Sequence, residues 1–101
     1  MEADNMEAFI RHLPKAELHL HIDGSLMPQR LLSLAEKHGV DLPYRSEAEI
    51  AAAYDFQDLQ SFLDLYYLGA GVLRDAEDFY LLMADYLAVC RAQNIAHCEV
   101  M

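Results

Sequence analysis

Apolar and polar residues alternate through Leu18-His19-Leu20-His21-Ile22, and that period of two predicts a strand over 18–22. Its faces then divide Glu17, His19 and His21 from Leu18, Leu20 and Ile22. Asp23-Gly24-Ser25 follows as a turn. Pro28 suits the first turn of a helix, where a missing N–H costs nothing. Leu31, Leu34, Ala35 and His38 recur with helical spacing behind it, and Gly39 fits the C-terminal cap.

Asp41-Leu42-Pro43 reads as a loop, and Ser46 with Glu49 has the spacing of a capping box ahead of 50–54. The next helix is expected over 58–69 with Leu59, Phe62, Leu63, Tyr66 and Tyr67 on its buried side, weakened or ended by Gly69 and Gly71. Asp75 caps another, whose stripe is Phe79, Leu82, Met83, Tyr86, Leu87 and Cys90, with Asn94 closing it. A second strand is expected over 95–101.

Strand, several helices, strand is an expanded βαβ unit, which calls for parallel strands and a right-handed crossover. The fold class is therefore α/β. Parallel sheets are buried on both faces, so two such strands are expected to be part of a larger fold.

Composition narrows the partners. The 101 residues are 54% hydrophobic with a formal charge of −10, and the seven Lys and Arg form no basic stripe. That excludes the electrostatic footprint of a nucleic-acid or anionic-membrane binder and leaves a small molecule as the expected ligand. Cys90 and Cys98 have no metal-finger spacing, and nothing supports a disulfide between them. Acidic Glu2, Asp4 and Glu7 stand where a signal peptide needs basic residues, and no apolar run approaches a membrane span, so a cytoplasmic protein is expected.

His19 and His21 carry the chemistry. Two imidazoles at i and i+2 of a strand project about 6–7 Å apart from one face and can converge on a single ion. Zinc suits them, although imidazole also serves other divalent metals. A catalytic zinc takes about three protein ligands plus water, so the pair is an incomplete set. A lone His-x-His is common by chance, and histidines usually bind nothing. Position favours a site here: the pair ends a strand just before a glycine turn, where barrel enzymes place their active sites.

The run Leu13-Pro14-Lys15-Ala16-Glu17-Leu18-His19-Leu20-His21-Ile22-Asp23-Gly24-Ser25-Leu26 resembles the opening signature of the adenosine/adenine deaminase family, in the amidohydrolase superfamily. Asp58-Leu59-Gln60-Ser61-Phe62-Leu63-Asp64-Leu65-Tyr66-Tyr67 and Gln93-Asn94-Ile95-Ala96-His97-Cys98-Glu99-Val100 resemble its bacterial adenine deaminase branch. The resemblance implies the N-terminal part of a (β/α)8 TIM barrel over 9–101, behind a leader at 1–8. It implies one Zn2+ with His19 and His21 as its first two ligands, and Asp23 as a substrate contact. The implied reaction is hydrolysis of a 6-aminopurine, adenine to hypoxanthine and ammonia. Zinc lowers the pKa of its water towards ~7 for attack at C6, and a glutamate serves as general acid and base.

Two departures qualify that picture. Adenine deaminases of this type usually carry Glu where this chain has Asp23, whereas adenosine deaminases carry Asp. The shorter acid leaves room for a ribose, so adenosine to inosine is the alternative reaction. The third zinc-binding histidine, the general-acid glutamate, a second catalytic histidine and the paired aspartates lie on later strands of the family and have no counterpart in these residues. Turnover by this chain alone is not expected. A purine is the expected partner, with no nucleic acid, no membrane and no oligomeric state implied. A different amidohydrolase reaction fits the flanking residues less well. A non-catalytic helical interaction module is the reading from another class. Elsewhere, His12 and His38 read as surface residues, His97 as packing, and Phe62 and Tyr66 as pocket walls if their helix caps the barrel mouth.

Overall fold

At three helix starts in this chain, Ser46, Asp58 and Asp75 answer unpaired backbone groups with their side chains. In the computed structural model, which describes residues 3–101, the order is α1 (Ala3–His12), β1 (Lys15–Leu20), a 3₁₀ turn (Ile22–Ser25), α2 (Pro28–His38), α3 (Glu47–Ala53), α4 (Leu59–Ala70), α5 (Ala76–Ala92) and β2 (Ile95–Val100). Met1 and Glu2, part of the expected leader, lie outside the described residues. The rest of that leader belongs to α1, an element the patterning did not signal. Ser46 Oγ accepts from Glu49 N at 3.2 Å and opens α3. Asp58 accepts from Ser61 N at 2.8 Å and Ser61 Oγ accepts from Asp58 N at 3.2 Å, a reciprocal cap on α4. Asp75 and Asp78 repeat it on α5, at 3.0 and 3.1 Å.

β1 and β2 pair in parallel, as the strand–helices–strand order requires, with Lys15 opposite Ile95, Glu17 opposite Cys98 and Leu20 opposite Val100. The core lies among the helices and gathers Leu26, Leu31, Leu34, Ile50, Leu65, Val72 and Leu82. Gly69 lets α4 approach it: a Cβ there would come 3.2 Å from a Leu26 methyl. Two polar clamps tie α2 to α5. Arg30 donates to both Asp85 oxygens at 2.7 and 3.0 Å. Asp78, fully buried, takes Lys37 Nζ at 2.7 Å and His38 Nε2 at 2.6 Å, with the Arg74 amide at 2.9 Å.

Several expectations change. β1 ends at Leu20, so His21 lies one residue past the strand. The face-to-face alternation also breaks, because His19 adopts φ 58° and the register shifts between Glu17 and Leu20. Leu18 consequently stands 63% exposed while Leu20 and Ile22 are half-buried. On α4 the buried residues are Leu65 and Gly69, and Leu59, Phe62 and Tyr67 are exposed. On α5 the buried line is Asp78, Leu82, Tyr86 and Cys90, with Phe79 and Leu87 outside it. His38 is not a surface residue but a continuation of the α2 stripe, carrying the bond to Asp78. His97 is exposed, so it packs nothing. Cys90 and Cys98 are free thiols.

Candidate active site

The end of β1 sets the geometry. A residue with φ near +60° resists ordinary side chains by about 1–2 kcal/mol, because Cβ crowds the following carbonyl. His19 holds that conformation at the register shift, and His21 follows in extended backbone, at φ −84° and ψ 108°, as the cap of the 3₁₀ turn. The two rings end 5.1 Å apart, edge to face, and both are exposed. The sequence placed these imidazoles together by strand alternation. They are together in the structure through a bulge, which the alternation rule does not anticipate.

The 3₁₀ turn then brings Asp23 against α4. The turn is pinned by Gly24 N to His21 O at 2.9 Å and Ser25 Oγ to Ile22 O at 2.7 Å. Tyr66 Oη donates to Asp23 Oδ2. The Asp23 carboxylate accepting that bond, together with loss of solvent, holds the Tyr66 phenol above its usual range. Asp23 borders two hollows. One, of about 120 Å³, is walled by Leu26, Tyr54, Phe56, Phe62 and Tyr66 as well as Asp23. The other, about 340 Å³, joins Asp23 to His21, Leu73, Phe79 and Met101. Asp23 thus links the imidazole side to an aromatic side.

The aromatic wall is continuous. Tyr54 lies over Phe56 at 6.2 Å, Phe56 meets Phe62 edge-on at 5.1 Å, and Phe62 lies over Tyr66 at 6.1 Å. Tyr54 is fixed by its hydroxyl, which donates to Leu26 O, and burial pushes that phenol up. Flat apolar faces beside one carboxylate suit a planar heteroaromatic ligand that also offers a hydrogen-bond donor. Phe62 and Tyr66 both line the smaller hollow. Tyr54 and Phe56 were not singled out from the sequence; their signal is only an aromatic pair just before α4.

Both imidazoles offer exposed nitrogen donors at close quarters, and that donor set fits zinc as part of a ligand shell. A second cluster, His38, Asp75 and Asp78, has its ligand atoms within 4.8 Å of one another. There the Lys37 ammonium already supplies the positive charge, 2.7 Å from Asp78 and 3.2 Å from Asp75. That cluster clamps α2 to α5 and lacks the open coordination position of a reactive metal centre.

Residues 14–101 match the adenosine deaminase family. The chain belongs to that family. It is 57% identical over 95 residues to the adenine deaminase of Vibrio parahaemolyticus, covering 94% of this chain and 28% of that protein. It is 58% identical over 87 residues to the adenine deaminase of Ralstonia pickettii, covering 86% and 25%. The crystal structure of adenine deaminase from Arthrobacter aurescens matches with a TM-score of 0.79 and 46% identity, over 87% of this chain and 27% of that one. The chain spans little more than a quarter of the length of these relatives. Its α/β fold, two parallel strands joined through helices, matches that part of a deaminase structure. No helix among the described residues is long and apolar enough to cross a membrane.

Proposed function

We propose that these residues form the opening of the active site of a cytoplasmic, zinc-dependent adenine deaminase, which converts adenine to hypoxanthine and ammonia. The observation that carries the reading is the sequence His19, His21, Asp23 as it stands in space. Two exposed imidazoles lie 5.1 Å apart at the end of β1, and two residues on a carboxylate opens onto a hollow walled by aromatic rings. His19 and His21 would hold the zinc, and zinc supplies an activated water at neutral pH. The aromatic wall orients the purine plane and excludes water from its faces. Asp23 accepts a hydrogen bond from the ligand and fixes its rotation in that plane. The likeness to adenine deaminases across most of the chain supports adenine over other amines.

Two imidazoles fall short of the three protein ligands that catalytic zinc needs, so turnover is not expected from these residues alone. The test uses the whole open reading frame that carries them. Purified protein should contain zinc, release ammonia from adenine, and lose both properties in His19→Ala. A metal-free protein that still deaminates adenine would sink the zinc assignment. Ammonia from adenosine and none from adenine would move the substrate to the nucleoside.

A further inference from the structure

Resting on that reading, we propose that Tyr66 is a positioning residue that makes the site prefer a free purine base to its nucleoside, through the hydrogen bond it gives Asp23. Tyr66 lies 43 residues beyond Asp23 and reaches it from another element, α4. Its hydroxyl takes Asp23 Oδ2, and among the described residues no hydrogen bond falls on Oδ1. The ring is held by Phe62, whose centroid lies 6.1 Å away at 30°. The carboxylate therefore has one fixed orientation and one remaining acceptor atom, at the rim of the 120 Å³ hollow.

The chemistry of the two ligand classes differs at one ring nitrogen. A free purine base carries an imidazole N–H, and a single carboxylate oxygen is enough to accept it. A nucleoside has no hydrogen there. It carries a sugar instead, whose hydroxyls need both an acceptor and the space beside it. The Tyr66 hydroxyl already holds one of the two acceptor oxygens and shares the lining of the same hollow. Aspartate is a short acid, and the phenol is what fills the gap between it and α4. A base thus finds its partner preset, while a nucleoside must first displace Tyr66.

The whole open reading frame and its Tyr66→Phe variant would be assayed for kcat/KM on adenine and on adenosine, each pair of rates from one preparation. Tyr80→Phe, on the exposed side of α5, serves as the control. The adenine-to-adenosine ratio is expected to fall about tenfold in Tyr66→Phe, the scale of one hydrogen bond, and to stay put in Tyr80→Phe. Partial unfolding lowers both rates and leaves the ratio intact, so a merely structural role would not move it. Turnover with an unchanged ratio would overturn the proposal while leaving the deaminase reading in place. A Tyr66→Phe protein inactive on both substrates would overturn it too, since phenylalanine keeps the wall. No turnover of either substrate by the unaltered protein would remove the functional reading, and this proposal with it.

Discussion

His19 sits at φ 58° with a full side chain, a conformation in which glycine is the comfortable residue. Strain of this kind persists only where the surroundings hold it in place, and here it accompanies a ring set 5.1 Å from its neighbour. His19→Gly and His19→Ala both remove the imidazole, but only the first relieves the backbone. The glycine variant should be more stable than the alanine variant by about 1 kcal/mol in urea unfolding, while both lose zinc uptake to the same extent. Equal stability would mean that the backbone at residue 19 is not left-handed. Asp78 makes the other residue-scale case. Burial pushes its carboxyl up, but bonds from Lys37, the Arg74 and Asp75 amides and His38 outweigh this and hold it well below the usual carboxylate range. Its unfolded counterpart titrates near ~4, so the unfolded chain takes up the proton first and stability rises with pH through that region. The contribution is complete above about pH 5 and drains away as pH falls further. Thermal unfolding between pH 6 and pH 2.5 should therefore show a steep acid loss in the native chain. Asp78→Asn should start lower at pH 6 and show a shallower loss.

At the scale of elements, caps and the α2 face were legible, the α5 face was legible in part, and the α4 face was not. Ser46, Asp75 and Gly39 each stand at a helix end where their chemistry put them, because capping is a local contract over three or four residues, while Gln93 and not Asn94 caps the end of α5. Gly39 closes α2 at φ 66° with open space around its α-carbon, so Gly39→Ala meets no clash and should cost about 1 kcal/mol through the backbone alone. A urea midpoint measured for that variant checks the figure; no change would mean α2 ends differently. The buried face of α4 departs from its apolar stripe for a physical reason. Leu59, Phe62, Leu63, Tyr66 and Tyr67 form an apolar stripe, and a stripe reports only that something apolar lies opposite or that a ligand surface is being built. On α4 the core took Leu65 and Gly69, and Phe62 and Tyr66 went to the cleft. The pairings that complete the site and the clamps, Tyr66 with Asp23 and His38 with Asp78, span about forty positions and are invisible to any local period. The His19 bulge was hidden likewise, since its cause is pairing with β2.

Over the whole molecule, many large apolar side chains stand exposed. The radius of gyration is 15.7 Å, against about 13 Å for a compact domain of this length. Leu18 on β1 is 63% exposed, and Phe9, Ile10 and Leu13 along α1 and its exit are each about half exposed. The two-stranded parallel sheet leaves the outer edge of each strand unpaired, and parallel sheets are normally covered on both faces. That requirement was readable from the strand order, whereas the exposure of α1 was not, because no element was expected there. The net charge of −10 opposes close approach of two copies at low salt, and salt screens it over about 10 Å at 0.1 M. The 101 residues prepared alone should therefore be largely monomeric in dilute low-salt buffer. They should associate as salt rises, with sedimentation shifting to larger species at protein concentrations that leave the low-salt sample unchanged. Leu18→Thr, which replaces an exposed apolar side chain with a polar, β-branched one suited to a strand, should weaken that association. Association that falls with salt would place charge pairing, and not the open apolar face, at the contact.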